Sequence, residues 1–239
     1  MVVQVVLVHG IRTSSTMWRA QTAYLEARGN PVTAVDLPGH GTRMGETFTL
    51  EGAIDTVDAA VRAAAGRGPV LLVGHSMGGL VSIEYAGAPE RPPIAGFVAA
   101  SCTAVPRGVG LTAYRFLARG LDRLPGRGQW LADRVLDRTL PPETRFDFGA
   151  GGYAYDMQDV ALRSLSVLDL LTALHRIDAP MWFVNGQYDQ LRVNEKLFLG
   201  IARHAELVVV PRTTHLVTAM RPDVFNAVLN VALTTLERT

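Results

Sequence analysis

Gly74-His75-Ser76-Met77-Gly78 sets a serine between two glycines, directly after the apolar run Val70 to Val73 and directly before a stretch of helical spacing. A G-x-S-x-G pentapeptide between strand and helix holds its serine on a sharp, strained turn, and the glycines let neighbouring backbone approach without a clashing Cβ. The hydroxyl then stands above the C-terminal edge of a sheet, where the following helix aims its N-terminal dipole at forming negative charge. A serine hydroxyl is a poor nucleophile near neutral pH, so it needs a base within hydrogen-bond reach and an acid to orient that base. His215, in Thr213-Thr214-His215-Leu216, follows the last β-type run, and Asp189, in Asn185-Gly186-Gln187-Tyr188-Asp189, follows the run before it. One helix and one strand fit between them, so adjacent parallel strands are expected to deliver both to the edge that carries Ser76.

Other candidates fit less well. His75 adjoins the serine but is expected to point away from it as a structural residue. His9 and His40 sit beside glycines and are expected to brace loops, while His175 and His204 have the surroundings of surface helices. Ser101, Cys102 and Thr103 follow the run Ile94 to Ala100 without a carboxylate, and Asp178 and Asp223 read as ordinary loop and helix-start acids. Stabilising an oxyanion takes two backbone donors at the same edge. The amides of Ile11, after His9-Gly10, and of Met77, after the serine, are the expected pair.

The elements that must position these residues follow from the pattern of the chain. Short β-branched runs alternate with longer stretches of helical apolar spacing, which predicts an α/β fold with a mainly parallel six-stranded sheet flanked by helices. The expected strands are Val2 to Val8, Val32 to Val35, Val70 to Val73, Ile94 to Ala100, Met181 to Val184 and Leu207 to Val210. Helices are expected over Met17 to Arg28, Leu50 to Ala65, Met77 to Ala86 and Arg221 to Leu236, the first two closed by Gly29 and Gly66 in left-handed caps. The alternation fails between Pro106 and about His175, which divides the chain into a core of residues 1–105 and 176–239 and a helical cap of residues 106–175. Tyr114, Phe116, Trp130, Phe146, Phe148, Tyr153 and Tyr155 in that cap are candidates for a pocket lining, although most aromatics of this kind bury in the packing of any fold.

Composition narrows the function. With 239 residues, 48% of them hydrophobic, the chain is long enough for one substantial core. A formal net charge of +1 with scattered arginines offers no field for nucleic acid or an anionic membrane. The lone Cys102 has no disulfide partner and lacks the company of a zinc site, so no metal is expected. The run Val2 to Val8 lacks a basic leader and a small-residue cleavage pattern and is expected to be a buried strand. Every long apolar stretch stops short of the ~20 residues that span a bilayer, so no stable membrane insertion and a cytoplasmic location are expected.

Val8-His9-Gly10 after the first strand, Asp36-Leu37-Pro38-Gly39-His40-Gly41 after the second, the serine elbow, Asp189 and His215 together resemble the α/β-hydrolase superfamily over nearly the whole chain. The resemblance implies a Ser76, Asp189, His215 triad, an oxyanion hole at Ile11 and Met77, a cap formed by the insertion, and no metal or organic cofactor. The direct start at the His9-Gly10 strand is similar to the compact methylesterase and hydroxynitrile-lyase group, whereas Asp36 to Gly41 is more similar to bacterial esterases and monoacylglycerol lipases. Thr214 stands where many members have glycine, and Arg43 where serine often follows the Gly-His-Gly turn. Serine at the elbow disfavours the aspartate-dependent dehalogenase and epoxide-hydrolase chemistries, and Gly10 and Leu216 disfavour the lyase. The expected reaction is hydrolysis of a small-molecule ester or thioester with an apolar part. Carbon–carbon or lactone hydrolysis by the same triad, or a ligand receptor on this fold, are the alternatives.

Overall fold

The computed structural model describes all residues except 91–93, 109–119, 121–122 and 239. Six strands, β1 (Gln4–Val8), β2 (Val32–Val35), β3 (Val70–His75), β4 (Gly96–Ala100), β5 (Met181–Gly186) and β6 (Ala205–Val210), form one sheet in the order β2-β1-β3-β4-β5-β6. All five pairings are parallel. Side chains alternate faces along each strand. Val6, Val8, Leu72, Phe97, Ala99 and Phe183 therefore pack on one side, and Val5, Leu7, Leu71, Val73, Val98 and Val184 on the other.

Helices α2 (Leu50–Ala65) and α3 (Met77–Ala86) cover the first face, and α1 (Arg19–Ala27) and α10 (Pro222–Glu237) the second. Burial on nearly every side of α3 explains its almost continuous apolar sequence. The chain runs from β1 outward to β2 and then returns to β3 on β1's other side, so the order reverses between β1 and β3. A parallel sheet opens a crevice at such a reversal, beyond the strands' C-terminal ends.

Several expected boundaries shift. Met1 and Val2 are exposed and unpaired with the sheet, so β1 begins at Gln4. The first helical stretch divides into a 3-10 turn, Ser15–Trp18, and α1. α1 does end on a left-handed Gly29, with the Asn30 amide donating to the Leu25 carbonyl at 3.0 Å. α2 does not: Gly66 has φ −65° and simply prolongs the right-handed turn, donating to the Arg62 carbonyl at 3.3 Å.

Among the described residues, the stretch between β4 and β5 contributes no strand to the sheet. It holds α4 (Gln129–Thr139), α5 (Pro142–Gly149), α6 (Gln158–Leu165) and α7 (Leu170–Arg176). α7 packs on α3 and on α8 (Glu195–Ile201), beside the sheet, as a crossover helix does. α5 lies against the Ser15–Trp18 turn and against α9 (Val217–Met220), and the Ala154 amide donates to the Arg12 carbonyl at 3.1 Å. No described helix is long and apolar enough to cross a membrane.

Candidate active site

The six parallel strands release their loops at one edge, and those after β1, β3, β5 and β6 carry Ile11, Ser76, Asp189 and His215. Ser76 follows β3 at φ 53° and ψ −119°, a conformation that costs a non-glycine residue on the order of 1–3 kcal/mol and persists only where the surroundings enforce it. Its amide donates to the Ala100 carbonyl at 2.8 Å, and its own carbonyl accepts the Leu80 amide at 3.0 Å, which clamps the turn between β4 and α3. The glycines around it are spacers. A Cβ on Gly74 would lie 2.6 Å from the Gly79 Cα, and one on Gly78 would run into the Val8 and His9 carbonyls of β1.

His215 and Asp189 come from the loops after β6 and β5, which are stitched together. The Gln187 amide donates to Val210, the Tyr188 amide to Thr213, and the Arg212 amide to the Gln187 side chain. His215 Nδ1 lies 3.1 and 3.2 Å from the two Asp189 carboxylate oxygens, and its Nε2 lies 2.9 Å from Ser76 Oγ. Ser76, His215 and Asp189 thus form one hydrogen-bonded line. Burial alone would raise the Asp189 carboxyl. The His215 hydrogen bond and charge, with the Leu191 amide at 2.8 Å, outweigh it and hold the group below the usual carboxylate range. A carboxylate at Nδ1 favours the tautomer whose Nε2 is free to accept a proton from Ser76.

Ile11 and Met77 flank the serine. Met77 is the first residue of α3, and among the described residues neither its amide nor that of Ile11 donates to a protein acceptor. Two free N–H groups beside a serine are suited to an oxyanion.

His75 departs from expectation. Its ring lies 5.2 Å from that of His215, not directed away from it, and its Nε2 donates to the His215 carbonyl at 2.9 Å. Burial and the neighbouring His215 lower its pKa to about 3, so the imidazole is neutral and works as a strut. His9 accepts the Leu37 amide at Nε2 and donates to the Gly10 carbonyl from Nδ1, joining the loops after β1 and β2; burial and His40 lower its pKa to about 4. His40 donates to Pro38. The Asp36 carboxylate ties the same loops by accepting the amides of Ser15 and Thr42. His175 and His204 are exposed, and Cys102 is a buried thiol packed against Gly79.

A support for the acid loop has almost no signature in the sequence. Buried Asn185 donates to Thr103 Oγ1 at 2.9 Å and to the Glu195 carboxylate at 2.8 Å, while Arg192 closes on Glu195 at 2.6 Å. These residues lock the turn before Asp189 onto the end of β4. Only the polar residue at the end of an apolar strand, Asn185, signals the network in sequence.

Two cavities meet at Ser76 and Ile11. The larger, about 410 Å³, is walled by Arg12, Leu131, Phe148, Tyr153, Tyr155 and His215; the smaller, about 220 Å³, by Met77, Leu80, Pro106, Leu162, Leu165 and Leu191. Of the candidate aromatics, Phe148, Tyr153 and Tyr155 line the larger cavity. Trp130 and Phe146 line neither and are 59% and 74% exposed, because they lie on the outward faces of α4 and α5. Tyr114 and Phe116 lie outside the described residues. Among the described residues no group of three or more His, Cys, Asp or Glu side chains is placed to hold a metal.

A family model described as "Alpha/beta hydrolase family" matches residues 5–228. Esterase PIR7B of Oryza sativa subsp. japonica is 35% identical over 119 residues, which is 48% of this chain and 44% of that protein. The chain thus spans under half the length of that curated relative. A thermophilic esterase from Thermogutta terrifontis superposes with TM-score 0.76 at 23% identity, over 98% of this chain and 90% of its own. A bromoperoxidase from Bacillus anthracis superposes with TM-score 0.80 at 18% identity, over 98% and 92%. At such identities the two structures share the fold alone.

Proposed function

The chain belongs to the alpha/beta hydrolase family, and from that premise we propose that it is a serine hydrolase cleaving carboxylic esters or thioesters through an acyl-enzyme. The observation that carries this reading is the line Asp189, His215, Ser76, closed at 2.9 Å between imidazole and hydroxyl and flanked by two unengaged amides.

Ser76 Oγ attacks the substrate carbonyl and its proton passes to His215 Nε2. The carbonyl oxygen becomes an anion held by the amides of Ile11 and Met77, and Asp189 stabilises the imidazolium. The bond from carbonyl carbon to leaving oxygen or sulfur then breaks, and His215 returns the proton to the departing group. Water repeats the sequence against the acyl-enzyme and releases the acid and free Ser76. The relative PIR7B, named an esterase, supports the same reaction class.

Incubation with a fluorophosphonate followed by mass spectrometry of the peptides tests the assignment. One adduct on Ser76, together with a burst of alcohol from an activated ester equal to the enzyme concentration, is expected. Turnover of esters without a Ser76 adduct refutes it. The described helices α4, α5 and α6 form the cap in this reading, whereas α7, inside the expected cap of residues 106–175, belongs with the core against which it packs.

A further inference from the structure

The two cavities touch the serine differently. His215 walls the larger one and takes no part in the smaller, which instead reaches the start of α3 at Met77. In the reaction above, His215 Nε2 must hand its proton to the leaving oxygen. That oxygen and the group it carries therefore lie on the His215 side of Ser76. The acyl carbon, bonded to Oγ, projects its chain to the other side.

We infer that the scissile bond divides the substrate between the cavities, with the acyl chain in the 220 Å³ cavity beneath α6 and the alcohol in the 410 Å³ cavity beneath α4. The inference rests on the acyl-enzyme reading. It adds a substrate class: esters joining a compact, largely apolar acyl chain to a larger alcohol that carries aromatic or polar groups. Leu80, Leu162, Leu165 and Leu191 wall the smaller cavity with hydrocarbon, and among the described residues Gln190 is its one polar side chain besides Ser76. In the larger cavity the Arg12 and Arg127 guanidiniums lie 4.9 and 6.0 Å from the centre of the Tyr155 ring, and Asp133, paired with Arg145 at 2.8 Å, lines the same cavity. That wall suits an aromatic or polar alcohol.

The assignment has a kinetic signature. The acyl chain is present during both acylation and deacylation, whereas the alcohol has gone before deacylation begins. Changes beneath α6 must alter both steps according to the acyl chain. Changes beneath α4 must alter acylation alone, according to the alcohol.

The test is pre-steady-state hydrolysis of two ester series, 4-nitrophenyl acetate to octanoate and acetates of alcohols from methanol to naphthylmethanol. Leu162→Ala opens the smaller cavity and Leu162→Phe fills it. The two should move the octanoate-to-acetate preference in opposite directions by ~10-fold each, in burst and steady state alike. General damage to folding would move them together. Leu131→Trp, at a partly exposed position of α4, should slow acylation by naphthylmethyl acetate ~10-fold relative to methyl acetate and leave deacylation of the acetyl-enzyme unchanged. An acyl-enzyme whose chain-length preference responds to Leu131 and not to Leu162, or to both equally, overturns the assignment while sparing the serine mechanism. Absence of any acyl-enzyme overturns the serine mechanism and the assignment with it.

Discussion

Substituting His75 separates the roles of its Nε2–H and of its burial. His75→Leu removes the donor to the His215 carbonyl, while His75→Gln keeps a side-chain N–H of similar reach. An orphaned carbonyl costs roughly 1–3 kcal/mol. If that appears as displacement of the His215 imidazole, His75→Leu should lose about tenfold to a hundredfold in kcat, and His75→Gln should recover most of it. Burial lowers the His75 pKa to about 3, whereas the unfolded side chain titrates near ~6.5. Below ~6.5 the unfolded chain binds a proton that the folded protein refuses, so this side chain costs no stability above that pH and progressively more below it, down to its folded pKa. Between pH 7 and 4 the loss amounts to roughly 3 kcal/mol. His9 adds a similar acid sensitivity, but in wild type and both variants alike. Urea unfolding at pH 7, 5.5 and 4, with kcat on an aryl acetate at neutral pH, reads both effects. Equal pH slopes for wild type and His75→Gln would show that the imidazole is not kept neutral in the fold. A fully active His75→Leu would show that the strut does not position His215.

Ser76→Ala should reduce ester turnover on the order of 10³-fold or more while leaving the far-UV circular dichroism unchanged; a folded variant with a tenth of wild-type rate would remove Ser76 from the mechanism. Asp189→Asn should depress kcat by about 10³- to 10⁴-fold with KM little altered, since the amide favours the wrong imidazole tautomer. Gly78→Ala should lower the melting temperature and slow fluorophosphonate labelling together, because its Cβ meets the Val8 and His9 carbonyls and must lift α3 from β1; an unperturbed melt would show that the gap can open freely. Acid titration followed by the His215 ring NMR signals should place the Asp189 carboxyl below the usual value near 3.9; a value above it would mean that burial outweighs the hydrogen bonds.

The sheet and the serine line were legible because each depends on short-range signals. β-branched runs ending in turn residues mark the strands, and parallel strands bring their C-terminal loops to one edge without knowledge of any side-chain contact. α2 and α3 occupy the limits that their apolar spacing and flanking residues indicate. Side-chain direction was less legible. His75 follows the alternation of β3, yet whether its ring meets His215 depends on how far the loop after β6 folds back, and that is set 140 residues later. Asn185, Thr103 and Glu195 converge through partners that no local pattern links. Trp130 misled for a related reason: aromatic character marks a residue as worth burying, but only the docking of α4 decides which of its faces meets the cavity.

The connection from β4 to β5 joins two strands that are already hydrogen-bonded neighbours. A parallel crossover between neighbours needs about a dozen residues, and this one takes roughly 80, in which α7 packs beside the sheet as a crossover helix does. Among the described residues the surplus adds no strand, so neither the strand order nor the register of a ladder depends on it. The segment is nevertheless tied to the core, since the Thr144 hydroxyl donates to the Ala219 carbonyl at 2.7 Å and the Ala154 amide to the Arg12 carbonyl at 3.1 Å, so a graft between β4 and β5 has to reproduce these two seams as well as the ends of the segment.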